Sequence, residues 1–283
     1  MARPLRIQNS VVLVTGGGKG IGLELLREVA RRGGHPIAVE VDQALATSLS
    51  DEFGATGAVH QADVRDAEAM ARIVEDTTAR FGRLDVVIAN AGIERIDPVW
   101  SMPNDVFEDV IEINVLGTYR TLKPAFEPVI RSGGHLLTIA SIAALIPFPL
   151  GCAYGTSKAA VDMMMRIIRM ELDGTGATAG AAYFGIVRTD MGDRVHNHPV
   201  VSATSKRLPT RLLGVTPTPT ADRAAKAILD GVERRKARVY APYMIRYTYF
   251  FRGVFGQFDG VNARMMKLSQ EIRNAYGPPP GSG

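Results

Sequence analysis

Short apolar runs alternate along the chain with longer segments whose apolar residues recur at helical spacing. Residues 11–14 are one such run, and residues 21–32 follow with Ile21, Leu25, Leu26 and Val29 on one helical face. The alternation continues. Strand-like runs occupy residues 37–41, 57–60, 84–89, 134–140 and 178–184. Helical periods occupy residues 44–53, 67–81, 106–130 (one helix or two), 153–172 and 221–234. Asp66 stands where a side-chain cap would start the third helix. Strands that are apolar on both sides and separated by helices predict a parallel sheet covered on both faces. The expectation is an α/β chain in three layers (α/β/α), a doubly wound parallel sheet forming a single domain over residues 1–276. Residues 277–283 are only Pro, Gly and Ser and predict a disordered tail.

Composition narrows the class. Of 283 residues, 46% are hydrophobic and 22% charged, which is ordinary for a globular chain and argues against disorder of its body. The net charge is +4 and no Lys/Arg run is interleaved with aromatics, so a nucleic-acid partner is not expected. A mild positive excess suits a small anionic partner instead. Cys152 is the single cysteine, so no intramolecular disulfide can form, and a reducing, cytoplasmic location is expected. The apolar run at 11–14 is too short for a signal core, and no segment approaches the ~20 uncharged apolar residues of a membrane span.

Between the first strand and first helix lies Thr15-Gly16-Gly17-Gly18-Lys19-Gly20-Ile21-Gly22. Glycines permit a tight turn and close backbone approach, and the following helix start favours a phosphate. The spacing, Thr-Gly then three residues then Gly-x-Gly, resembles the classical short-chain dehydrogenase/reductase family, with its Rossmann-like sheet and nicotinamide cofactor. Further motifs match that family. Asp63-Val64 follows the third strand and resembles its adenine contact. Asn90-Ala91-Gly92 ends the fourth strand, where ligands bind in such sheets. After the sixth strand the family's Pro-Gly and Val-x-Thr are represented by Phe184-Gly185-Ile186-Val187-Arg188-Thr189, with Phe184 in place of proline. Gly185, Val187 and Thr189 keep the cofactor role that the resemblance implies, while Phe184 leaves the turn less rigid and faces the nicotinamide or the substrate.

Two residues bear on the choice of cofactor and pull in opposite directions. Glu40 ends the second strand, where a carboxylate accepts hydrogen bonds from the ribose 2′-OH of NAD and repels the 2′-phosphate of NADP. Lys19 precedes the second motif glycine, and the resemblance associates a basic residue there with NADP. NAD is favoured, because Glu40 would stand at the discriminating hydroxyl. Lys19 would then pair with Glu40 or with phosphate.

Tyr154-Gly155-Thr156-Ser157-Lys158 carries the chemistry. Tyr and Lys four apart share a helix face. A phenol with a pKa of about 10 is a poor base near neutrality, and a nearby ammonium lowers that value. Lys158 also has the donors to hold ribose hydroxyls. Ser141 ends the fifth strand, placed to orient a substrate oxygen and stabilise its charge. Asn114 is a poor helix former inside an apolar helical run. The resemblance implies that Asn114 bends the helix and holds a water joined to Lys158, and that Asn114, Ser141, Tyr154 and Lys158 act together. The predicted reaction is hydride exchange between the nicotinamide and a secondary alcohol or ketone, with Tyr154 as general acid and base. A catalytically silent dinucleotide-binding protein is the alternative.

Ile142, Leu145, Phe148 and Cys152 are expected pocket walls, which suggests an apolar substrate. Residues 190–219 predict a mobile lid with Met191, Val200, Val201, Leu208, Leu212 and Leu213. Residues 239–276 form an apolar extension. Its Tyr- and Phe-rich stretch 239–258 suggests a cover over the pocket or a subunit contact, with a membrane-surface element as the other reading. His196 and His198 lack a metal-ligand spacing and are expected in a loop. The resemblance implies a homo-oligomer formed through the helices at 106–130 and 153–172.

Overall fold

The computed structural model describes residues 4–207, 218–255, 257, 259–265 and 267–281. Among them, seven strands form one parallel sheet: β1 (Val11–Thr15), β2 (His35–Glu40), β3 (Ala58–Gln61), β4 (Val86–Ala89), β5 (His135–Ile139), β6 (Thr178–Phe184) and β7 (Arg238–Ala241). Their order is β3-β2-β1-β4-β5-β6-β7. The central strands β1 and β4 read as apolar because each faces two cores. Val11 and Leu13 enter one, Val12 and Val14 the other.

Helices α1 (Gly20–Arg31), α2 (Gln43–Phe53) and α10 (Ala221–Glu233) cover one face, burying Leu25, Leu26, Leu49, Phe53, Ile228 and Leu229. Helix α3 (Ala67–Phe81) lies on the other face through Met70, Ile73 and Val74. Asp66 caps it, accepting from Ala69 N–H at 2.9 Å, and Gly82 ends it at φ 72°. Helix α7 (Cys152–Glu171) buries Met165 and Ile168 on this same face.

Residues 106–130 are one interrupted helical run. It passes from α4 (Asn104–Ile111) through a π turn (Glu112–Leu116) into α5 (Gly117–Leu122), then through a 3₁₀ turn into α6 (Phe126–Arg131). Apolar periodicity cannot show the change of hydrogen-bond pattern, because the buried stripe continues through it.

The region beyond β6 departs further from expectation. The predicted lid contains α8 (Asp190–Asn197) and α9 (Pro199–Ser205), so His196 is helical and His198 joins two helices. Leu208, Leu212 and Leu213 lie outside the described residues. The extension contributes β7, too short to stand out between Arg238 and Pro242, and then α11 (Ile245–Phe255), α12 (Asp259–Met265) and α13 (Leu268–Tyr276). Phe258, in its aromatic stretch, lies outside the described residues. Tyr183 anchors the extension. It stacks on Tyr240, meets Tyr249 edge-on and hydrogen-bonds Asp162 of α7. Residues 277–281 form no helix or strand; Ser282 and Gly283 lie outside the described residues. Among the described residues, no helix is long and apolar enough to cross a membrane.

Candidate active site

The strand order reverses between β1 and β4, and the carboxyl ends of those strands open a crevice there. Side chains stitch the two ends together. Thr15 Oγ1 accepts from the N–H groups of Asn90 and Ala91 at 3.1 and 3.2 Å. Asn90 Nδ2 donates to the carbonyls of Thr15 and Gly16 at 2.9 and 3.0 Å. A cavity of about 720 Å³ begins at this crevice and extends past β5 and β6 to α8 and α9.

Two glycines shape its floor. Gly16 has φ +65°, and a β-carbon there would meet Ala91 Cα at 2.9 Å. A β-carbon on Gly22 would fall 2.0 Å from the Gly16 carbonyl oxygen, so only glycine lets α1 approach the turn. Helix α1 starts at Gly20 with no side-chain cap from Lys19 and no acid in its first turn. Gly20, Ile21 and Gly22 therefore present an uncapped, electropositive helix start to the cavity they line with Gly16 and Lys19 (Gly22 lies beneath, buried). This cradle fits a diphosphate.

At the cavity's β2 end, Glu40 is buried and fully engaged. One carboxylate oxygen accepts from Gly18 N–H at 2.8 Å, the other from the N–H groups of Val41 and Asp42 at 3.0 and 3.1 Å. These bonds fix the carboxylate at the cavity wall. Lys19 is exposed, and no ion pair joins it to Glu40 among the described residues. Asp42 caps α2 through Leu45 N–H. Asp63 holds Arg65 with both oxygens, at 2.7 to 2.9 Å, and those bonds keep its carboxyl below the usual range despite partial burial. Val64 packs against Gly117 and lines the same end with Asp63. Beyond β6, Gly185, Val187 and Thr189 line the opposite wall. Thr189 caps α8 through Gly192 N–H at 3.1 Å. Phe184 is 3% exposed and sits in the core beside α10, while part of it still reaches the cavity wall.

Tyr154, Lys158 and Ser141 converge on the cavity beside Gly92. Tyr154 and Lys158 rise one turn apart on α7, with the ammonium 5.6 Å from the phenol ring centre. Lys158 Nζ donates to the Ile139 carbonyl at 2.8 Å. Ser141 caps the short 3₁₀ turn at Ile142–Ala144, accepting from Ala143 N–H at 3.1 Å, and hydrogen-bonds the Tyr154 phenol. Asn114 sits in the π turn, 1% exposed. Its Oδ1 accepts from Ile93 N–H at 2.8 Å, and its Nδ2 donates to Ile93 O and Ser157 Oγ, both at 2.9 Å. The helix is thus distorted at Asn114, as expected. The side chain reaches the other three residues through Ile93, Gly92 and Ser157 rather than by bonding Lys158.

Electrostatics of the pair differ from the expectation that the ammonium lowers the phenol. Burial pushes Tyr154 up to about 12; the Ser141 bond opposes this and the Glu94 charge adds to it. Burial pulls Lys158 down to about 8. Desolvation disfavours both charged forms and is the largest cause at each.

Several participants were not foreseen in the sequence. Glu94 is 7% exposed, lines the cavity and meets Arg194 of α8 at 3.4 Å. A charged residue two positions past Asn90-Ala91-Gly92 was its available signal. Ser157 and Thr15 had none beyond their neighbours. The expected substrate walls are half right. Ile142 and Phe148 line the cavity, with Ile93, Ile186, Met191 and Val201. Leu145 instead enters the core against Ile245 and Tyr249, and Cys152 is exposed. Val200 is likewise core. No cluster of His, Cys, Asp and Glu suited to a metal occurs among the described residues.

A family model described as short chain dehydrogenase matches residues 10–199. Over 188 residues the chain is 31% identical to a probable oxidoreductase, EphD, of Mycobacterium tuberculosis. The match takes in 65% of this chain and 32% of EphD, so the chain spans about a third of that relative's length. A short chain dehydrogenase/reductase from Burkholderia phymatum, solved in complex with NAD, superposes with TM-score 0.77. It is 19% identical, with 90% of this chain and 96% of that chain covered. A short chain dehydrogenase from Burkholderia cenocepacia, solved in complex with NADP, gives TM-score 0.73 at 24% identity, with 83% and 97% covered.

Proposed function

Because the chain belongs to the short-chain dehydrogenase family, we propose that it moves a hydride between a nicotinamide dinucleotide and a secondary alcohol or the matching ketone. The observation that carries this reading is the convergence of Ser141, Tyr154 and Lys158 on one cavity wall, braced by Asn114. When bound, the dinucleotide supplies the hydride or accepts it. Gly16, Gly20, Ile21 and Gly22 are the residues that would hold its diphosphate, Asp63 and Val64 its adenine, and Lys158 its nicotinamide ribose. Asn90, Ala91, Gly92, Gly185, Val187 and Thr189 shape the path between.

Tyr154 gives or takes the proton of the substrate oxygen. At about 12 its phenol is fully protonated near neutral pH, which suits it as a donor to a carbonyl oxygen. Ser141 shares that oxygen and stabilises charge as it develops. Glu40 supports NAD over NADP: three backbone donors fix its carboxylate at the cavity wall, where it would accept from a ribose hydroxyl and repel a 2′-phosphate, although Lys19 lines the same cavity. An apolar substrate is supported by Ile93, Ile142, Phe148, Ile186 and Met191. Leu116, Tyr119, Met163, Ile167 and Met170 leave an exposed apolar face on α5 and α7, which supports assembly through those helices.

Tyr154→Phe tests the proposal. Oxidation and reduction across a panel of secondary alcohols and ketones, followed by absorbance of the reduced nicotinamide, should fall by at least ~100-fold, the span of general acid–base catalysis. Dinucleotide affinity should stay within about twofold. Turnover equal to that of the unaltered protein would refute the proposal.

A further inference from the structure

We propose that α11 is an interfacial anchor that seats the protein on an anionic lipid surface. The helix has two unlike sides. Ile245, Thr248 and Tyr249 are buried against the body, where Tyr249 packs on Tyr183. The outward side carries Tyr247, Phe250, Phe251 and Val254, at 43, 79, 46 and 53% exposure, and Tyr243, in the turn just before the helix, is 60% exposed. Counted from Tyr243 they fall at i+4, i+7, i+8 and i+11, so one apolar stripe runs from that turn along the helix. A helix that is apolar on the face turned to solvent needs a cover.

Charge identifies the cover. Helix α11 contains Arg246 and Arg252 and no acid. Residues 238–276 hold six basic and two acidic side chains, so this region carries the whole +4 excess and the rest of the chain is balanced. Arg246 is exposed and lies over the rings of Tyr243 and Tyr247, at 4.5 and 4.7 Å. Aromatic rings with guanidinium groups alongside match the boundary between acyl chains and phosphate headgroups.

A second copy of the chain fits the stripe less well. At roughly 200 Å² per aromatic side chain, the four rings offer on the order of 450 Å². A stable dimer uses about 800 Å² per partner. The inner face of α11 belongs to the same core cluster as Ile142, which lines the cavity, so a lipid-seated α11 would stand beside the cavity's apolar end. The proposal does not depend on the reaction assigned above.

The test is co-sedimentation of the full chain with phosphatidylcholine vesicles, with and without phosphatidylglycerol. The protein should sediment with the anionic vesicles, far less with the neutral ones, and be released by added salt. Phe250→Glu combined with Phe251→Glu should lower binding at least tenfold, and Arg246→Gln about fivefold, the weight of one basic side chain near such a surface. Both alter outward-facing groups, so the thermal midpoint and dinucleotide affinity should be unchanged. The proposal is overturned if the protein binds neither vesicle or if the Glu variants bind as the unaltered chain does. It is equally overturned if the protein binds no vesicle and sedimentation velocity shows an assembly that Phe250→Glu splits, since a second copy then covers the stripe.

Discussion

Asn114→Ala separates a brace from a bystander. Asn114 touches neither Tyr154 nor Lys158 through a hydrogen bond, yet it fixes the chain on both sides of them. The substitution removes two bonds to Ile93 and one to Ser157. Ile93 N–H then loses its acceptor in a half-buried setting, at about 1–3 kcal/mol, while the other two lost bonds cost up to about 1 kcal/mol each. Alanine returns about 0.5 kcal/mol of helix propensity. The net loss is about 2–3 kcal/mol, which lowers the thermal midpoint by roughly 3–5 °C for a domain of this size. Ile93 leads into Glu94, and Ser157 Oγ donates to the Tyr154 carbonyl at 2.7 Å, so slack at Asn114 reaches both cavity walls. We expect kcat/KM to fall about tenfold or more at a temperature where the variant is fully folded, with dinucleotide affinity little changed. Differential scanning calorimetry and steady-state rates on the same preparation supply both readings. A variant with the predicted fall in midpoint and undiminished kcat/KM would show that Asn114 supports only the fold, and the positioning argument would be wrong.

Two further outcomes follow from the charged groups. His135 is fully buried in β5, and burial pulls its imidazole down to about 3. Its folded value lies below the unfolded 6.5, so the unfolded chain binds the extra proton first and stability declines as pH falls from about 6.5 toward 3. The full span is on the order of 5 kcal/mol, and urea unfolding of His135→Gln should show a flatter acid limb; an identical limb would clear His135. Glu40→Gln keeps an acceptor for Gly18 N–H but removes the negative charge, so NADP affinity should rise about tenfold against NAD in titration calorimetry; an unchanged ratio would remove Glu40 from cofactor choice.

What was legible in the sequence is what repeats or what chemistry confines. The central strands face two cores, so their apolar runs are continuous, and the glycine turn after β1 and Asp66 mark two of the helix starts. Residues 67–81 and 178–184 were bounded as the structure has them, because a cap begins one and glycines, Gly176 and Gly185, flank the other. β7 escaped because four residues, begun by Arg238 and stopped by Pro242, carry no period. The four residues proposed for catalysis were legible as types at fixed intervals. Their electrostatics were not: the ammonium was expected to lower the phenol, whereas burial raises it, and burial follows from packing that spacing does not express. Likewise Leu145 and Cys152 flank the right segment, but the 3₁₀ turn and the start of α7 rotate one into the core and the other to solvent.

The family match ends at residue 199, and the cavity does not. Val201, Thr204 and Ser205 of α9 line it, and α9 is held from outside by the extension. Arg207 pairs with Glu271 of α13 at 2.7 Å. His198 stacks on Tyr276 and hydrogen-bonds its hydroxyl at 2.9 Å, and that hydroxyl reaches Ile96 O at 3.4 Å. Glu94 and Arg194 hold α8 from the cavity side. The wall of the cavity at this end is therefore built on groups contributed from both sides of residue 199. The residues proposed for proton and hydride transfer lie within the matched part. Those that would choose the substrate lie partly beyond it, on helices whose placement depends on this chain's own ion pair and aromatic contacts. Family membership accordingly points to a reaction class, and the substrate must be sought in what α8 and α9 enclose, with α13 bracing α9 from behind.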